Sequence, residues 1–218
     1  EIARDIEIIN RRIIEKRIKT VRNGLRWLPS QRDVCRFFCR RIPYTDYLTK
    51  LMNRIPIVDF IDREMEATVS HELRAPQDGV RSLGVLEIDL KGFKLLNDSL
   101  GHAEGDRALL HTADVLQGSI RKKDRAARWG GDEFLVALEN VDHESVGIVI
   151  KRILSGIRAF RSEMRPREEC LDARIGGGIW TREMGVVPSN RLIEAADEQE
   201  LWMKHQGLSG AHIVDFKK

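Results

Sequence analysis

Residues 127 to 139 read ARWGGDEFLVALE, two glycines and two acids between two apolar runs. A tight turn there carries Asp132 and Glu133 at its tip. A second acid, Asp89, stands in LEIDLKGFKLLND, near the end of a strand pattern that runs straight into a helix start. If that strand neighbours the turn, Asp89 and Asp132 converge at one end of a sheet. Two or three carboxylates so placed bind Mg²⁺, which takes oxygen ligands and keeps positions open for phosphate. Gly130 and Gly131 let the backbone come close to a ligand. Gly92, Phe93 and Lys94 offer free N–H groups and a cation to a polyphosphate. Alone, Gly-Gly-Asp-Glu between strands is no more than a solvated turn. The second acid, in its context, lifts the pattern above that.

These residues need a scaffold, and the hydrophobic periodicity supplies one. A helix is predicted from near Pro56 to about Leu73, followed by a strand over SLGVLEIDL. KLLNDSLGHAEGDRALLHTADVLQGSI reads as mostly helix, and RAARW with EFLVALE as a hairpin closed at GGD. A long helix follows over about 143 to 162, then the strand ARIGGGIW, the helix SNRLIEAADEQELWMKHQ and a last strand AHIVDF. Helices and strands alternate, but the hairpin makes the sheet mixed. The fold class is therefore α/β (α+β), a mixed central sheet surrounded by helices. Upstream, residues 1 to 28 form an amphipathic pattern, with Ile2, Ile6, Ile9 and Ile13 in one run and Ile14, Ile18, Val21, Leu25 and Leu28 in the next. That seam suits a short coiled coil or a helix docked on its own domain. Pro29 breaks it, and a second short helix runs to about Arg41. Residues 1–41 are thus expected as an N-terminal helical segment and 42–218 as the main domain.

Composition bounds the function. The 218 residues are 42% hydrophobic and 33% charged, a globular balance. With 37 basic and 34 acidic residues the net charge is +3, which gives no electrostatic case for nucleic acid as main partner. No apolar run is long enough to cross a membrane and no signal peptide is visible, so a cytoplasmic location is expected. The chain starts at Glu1 rather than Met, and the expectation is a piece of a longer protein with its upstream sensor missing. Cys35 and Cys39 sit one helical turn apart, but no further Cys/His pair completes a metal site. Together with Cys170 they read as free thiols. SHELRAP at 70 to 76 is similar to the phospho-acceptor box of histidine kinases, yet nothing downstream supplies an ATP-binding domain. His71 is read as an exposed residue at a helix end.

From about Tyr44 to its C-terminus the chain resembles the GGDEF domain, the diguanylate cyclase family. Six pieces in order carry the resemblance: DYLTKLMNR at 46 to 54, EIDLKGFKLLND at 87 to 98, GHAEGD at 101 to 106, RKKD at 121 to 124, RWGGDEF at 128 to 134 and AADEQELWMK at 195 to 204. The resemblance implies a fold like that of nucleotidyl cyclases and polymerase palms. It implies the condensation of two GTP into cyclic di-GMP, with Mg²⁺ (or Mn²⁺), in a homodimer whose two sites face each other. Asp89, Asp132 and the carbonyl of Leu90 are then the cation ligands, with Glu133 assisting or taking a proton from the attacking 3′-hydroxyl. Asn97 and Asp106 read guanine, while Lys94 and Lys204 contact the triphosphate, beside Gly92, Phe93, Gly130 and Gly131. Arg121 and Asp124 match an inhibitory RxxD site for the product, with Arg152 as a further contact. Three departures stand out. Leu208 replaces an Arg that touches phosphate, Lys91 replaces the second acid of Asp-x-Asp, and Lys50 and Gly176-Gly177-Gly178 sit where Gly and a Ser-containing strand are usual. The alternative is a degenerate domain that binds GTP or cyclic di-GMP without turnover.

Overall fold

The computed structural model of the chain describes residues 44–70, 81–163 and 171–216. The chain divides between Pro43 and Tyr44. The readings for residues 1 to 28, the helix to Arg41, His71 and the three cysteines lie outside the described residues.

The sheet grows outward from β1 (Ser82–Lys91), whose residues are buried almost without a break. Such a run has no solvent-exposed face because helices cover both sides. β1 pairs antiparallel with β3 (Glu133–Glu139) on one side and with β4 (Asp172–Thr181) on the other. β2 (Arg125–Arg128) closes the hairpin with β3, and β5 (Gly210–Asp215) joins β4 in parallel. The order is β2-β3-β1-β4-β5, a mixed five-stranded sheet.

Period-two alternation along β1 sorts its side chains between two cores. Leu86, Ile88 and Leu90 join one core, built with α2 (Phe93–Leu100), α3 (His102–Ser119) and α4 (His143–Arg158). Leu83 and Val85 join the other, under α1 (Arg54–Ser70) and α5 (Ser189–His205). The same alternation sends Glu87 and Asp89 to the α1/α5 side, 6% and 8% exposed. The stretch expected as mostly helix is two helices, broken at Gly101, whose φ of 86° lies outside the helical region. The break turns α3 back across α2.

Two local features fix how helices meet the sheet. At Gly176 on β4, a Cβ would stand 2.0 Å from the Ala196 carbonyl oxygen and 2.4 Å from the Glu200 amide nitrogen. The glycine run therefore lets the backbone of α5 lie directly on the strand. The second is the turn before α1, where Lys50 takes φ 59°. A residue with a Cβ pays roughly 1–2 kcal/mol for that left-handed conformation. Lys50→Gly is expected to raise stability by about 0.5–1 kcal/mol after the glycine's extra unfolded-state entropy is subtracted. The check is a higher urea midpoint at unchanged slope.

Candidate functional site

The acids meet at the end of the sheet where β1 and β3 run out. Asp89 lies opposite Glu133 in the β1–β3 register, and the Leu90 amide donates to the Asp132 carbonyl at 3.3 Å. The turn itself is tight. The Trp129 and Gly130 amides both donate to the Glu133 carbonyl, at 2.8 and 3.2 Å, and the Glu133 amide returns to the Gly130 carbonyl at 3.3 Å.

Burial first, and then the Asp89 charge, push the Asp132 carboxyl up. Burial, then Asp132 and Asp89, do the same to Glu133. Lys204, in the last turn of α5, pulls both the other way, so its ammonium acts on this end of the sheet. Mutually repelling carboxylates of hard oxygen are the donor set that a divalent cation satisfies. Asp89, Asp132 and Glu133 therefore fit such an ion by chemistry. Among the described residues, no three His, Cys, Asp or Glu side chains stand close enough together to form a finished cage.

The remaining predicted residues fall on neighbouring elements. Gly92 caps α2 with φ 90°, a conformation glycine adopts without strain, and it turns β1 directly into the helix. Phe93 is half-buried against the core, while Lys94 is exposed one residue into the helix. α2 and α3 bring Asn97 over Gly105, where a Cβ would meet the Asn97 Oδ1 at 2.0 Å. Asp106 is exposed beside that contact. The RKKD residues lie elsewhere, in the loop between α3 and β2. Asp124 is buried, and its two carboxylate oxygens accept from the Arg121 amide at 2.8 Å and the Glu139 amide at 3.1 Å. Asp124 thus closes its own loop, while Arg121 and, on α4, Arg152 are exposed.

The sequence reading missed five residues that the structure places around these acids. Arg128 donates to the Gly131 carbonyl from Nε at 3.1 Å and from Nη2 at 2.8 Å, bracing the turn. Its Nη1 also reaches Asp46, at 3.3 and 3.4 Å from the two carboxylate oxygens. Asp46 in turn accepts from the Thr49 amide and hydroxyl, each at 2.8 Å. Burial opposes its charge, but these donors together hold the Asp46 carboxyl below its usual range. On the far side of β1, Arg174 of β4 faces Asp89 in register and donates to its Oδ2. The Arg174 Nε donates to Glu200 on α5 at 2.7 Å. Burial works against a charged Arg174, yet the hydrogen bonds to Glu200 and Asp89 outweigh it and tighten its hold on the proton. Glu87, two residues before Asp89 on the same face, is pushed up to about 8 by burial and then by Asp197, Glu133 and Glu200. Its Oε2 is buried without a hydrogen-bond partner. Period-two alternation in VLEIDL was the available signal for Glu87, since it shares a face with Asp89.

Comparison with known proteins places this geometry among relatives. Residues 43–209 match the family described as diguanylate cyclase, GGDEF domain. The chain is 30% identical over 169 residues to the bifunctional diguanylate cyclase/cyclic di-GMP phosphodiesterase MucR of Pseudomonas aeruginosa, covering 76% of this chain and 22% of MucR. It is 31% identical over 163 residues to the diguanylate cyclase DosC of Escherichia coli, covering 74% of this chain and 33% of DosC. The chain thus spans a third or less of the length of these curated relatives. Among solved structures, the GGDEF domain of YfiN (TpbB) from Pseudomonas aeruginosa is similar with a TM-score of 0.66 and 28% identity, over 78% of this chain and 100% of that one.

Proposed function

We propose, for a chain that belongs to the GGDEF family of diguanylate cyclase domains, that it condenses two GTP into cyclic di-GMP and two pyrophosphates. The observation that carries this reading is the register of Asp89 with Glu133, with Asp132 in the adjoining turn. Asp89, Asp132 and the Leu90 carbonyl hold the divalent cation, Mg²⁺ or Mn²⁺, with Glu133 beside them. When bound, the cation offsets charge on the α-phosphate and acidifies the attacking 3′-hydroxyl. Glu133 ligates at the same place or accepts the 3′-hydroxyl proton. Asn97 and Asp106 read the guanine edge, whose N1–H and N2–H donors suit a carboxylate. The Gly92–Phe93 backbone and Lys94 take the phosphates on one side, and Lys204 takes them on the other. Gly130 and Gly131 leave room for the nucleotide against the turn.

Each domain holds one GTP, and the cyclic product needs two sites facing across a twofold, so the working form is a homodimer. Residues 1–41 serve as a signalling segment, with 42–218 as the cyclase domain. The decisive experiment is to incubate the purified protein with GTP and Mg²⁺ and to look for cyclic di-GMP by mass. GTP binding with no product would support the binding-only alternative, which the engagement of Asp89 by Arg174 favours.

Product inhibition is proposed at Arg121 and Asp124, with Arg152 as a further contact. Because the Asp124 oxygens already accept the Arg121 and Glu139 amides, Arg121 supplies the main forked contact to the ligand. Arg121→Ala is expected to weaken cyclic di-GMP binding by roughly ten- to a hundredfold, the scale of a lost charge-assisted contact. Calorimetry with added product checks this, and equal affinity in the variant would show the assignment wrong.

A further inference from the structure

Among the described residues of the cluster, Arg174 engages the proposed cation ligand Asp89 directly. It stands opposite Asp89 across the β1–β4 ladder, with its Nη2 on the Asp89 Oδ2 and its Nε on the Glu200 Oε1 at 2.7 Å. The three side chains are 12%, 12% and 7% exposed, so little water competes for these contacts. Packing gives no reason for an arginine here. The neighbours on its face of β4 are Gly176 and Gly178, and α5 rests on the bare strand at that point. What the guanidinium does supply is charge, among acids that otherwise repel one another. The fork geometry also divides its duties. Nε holds Arg174 to α5, whereas Nη2 alone reaches the acid at the end of β1.

We propose that Arg174 is a built-in counter-cation, which neutralises Asp89 until a divalent ion arrives and competes with that ion for its carboxylate. On loading, Nη2 leaves Asp89 while Nε stays on Glu200. Oε2 of Glu87, buried and without a hydrogen-bond partner, is the acceptor for the freed Nη2. The site is thereby kept closed to weakly binding ions, and the acids are kept from repelling one another in the empty state. This rests on the reading of Asp89 as a cation ligand. Arg174 is a positioning residue, since it acts on the ion through Asp89.

The test measures Mn²⁺ binding to the nucleotide-free full chain, by the loss of free Mn²⁺ signal in electron paramagnetic resonance. Arg174→Gln, which keeps a hydrogen-bonding side chain but loses the charge, is expected to bind Mn²⁺ at least about fivefold more tightly than the parent. Arg174→Lys, which keeps the charge, is expected to stay near the parent value. Glu200→Gln removes the second anchor, leaves Arg174 wholly to Asp89 and is expected to bind Mn²⁺ several-fold more weakly. Thermal unfolding provides a second readout, with Mn²⁺ raising the midpoint of Arg174→Gln more than that of the parent. Equal or weaker Mn²⁺ binding by folded Arg174→Gln overturns the proposal alone. If that variant does not fold, unchanged or tighter binding by Glu200→Gln overturns it instead. Absence of Mn²⁺ binding in the parent and in every variant overturns it together with the cation site on which it rests.

Discussion

Asp132→Ala is expected to lower cyclic di-GMP formation by at least about a thousandfold while leaving the protein folded. On the proposed role of Asp132, the size follows from removing a preorganised charge near the reacting phosphate, where even one neutral donor is worth about 10²–10³ in rate. The fold is spared for a specific reason. The structural contribution of Asp132 is its carbonyl, which accepts the Leu90 amide, and alanine keeps that carbonyl. The lost carboxylate is one that burial and Asp89 already disfavour in its charged form. Product detection by mass, alongside thermal unfolding of both proteins, reads the two halves of the result. Full turnover by a folded Asp132→Ala protein, or product formed in excess chelator, would refute the assignment.

The second large effect concerns Lys91 and Leu208. The Lys91 ammonium donates to the Ser209 hydroxyl at 2.8 Å, so it lies beside Leu208 in the loop between α5 and β5. Both residues are exposed, and the lysine's bond is to a neutral hydroxyl. Lys91 can therefore serve as the phosphate cation that the missing arginine leaves vacant. A charge-assisted hydrogen bond to phosphate is worth about 1.5–3 kcal/mol, so Lys91→Ala is expected to lower kcat/KM for GTP by roughly ten- to a hundredfold. Leu208→Arg should then do little by itself and should restore much of the loss when combined with Lys91→Ala. A double-mutant cycle on kcat/KM reads this directly. If neither single change moves kcat/KM, the loop contributes no phosphate contact.

The strands and helices of the domain were legible because their patterns are local. β1, the β2–β3 hairpin and α5 announce themselves by runs of apolar residues with turn glycines between them. The break at Gly101 was not legible, since apolar periodicity continues across it from Leu96 to Leu109 and hides one positive φ. The convergence of Asp89 and Asp132 needed only two neighbouring elements, a strand end and the next hairpin. Arg174 needed the β1–β4 register, a pairing between residues 85 positions apart, and an arginine in a glycine-rich strand reads by itself as a surface charge. Glu200 carried a fainter signal. Leu192, Ala196 and Glu200 step by four on the buried face of α5, so a charge there required a partner. Asp46 was quoted within a motif, but its bond to Arg128 crosses 82 positions and no spacing rule connects the two.

The bare contact at Gly176 has a further consequence. Helices packed through side chains can slide by small amounts, because rotamers give way at the contact. At Gly176 the strand meets carbonyl and amide of α5, and backbone has no rotamers to give. The helix is therefore a ruler clamped to the sheet. Lys204 stands eight residues beyond Ala196, about 12 Å along the axis at the helical rise. Its Cα is thus set at a fixed offset from β4, in the way a workpiece stop is set on a bench. Adjustment to a bound nucleotide would have to come from the lysine side chain and from the Gly130–Gly131 turn, and a substitution that unclamps Gly176 would shift the phosphate contact proposed for Lys204 from a position on β4.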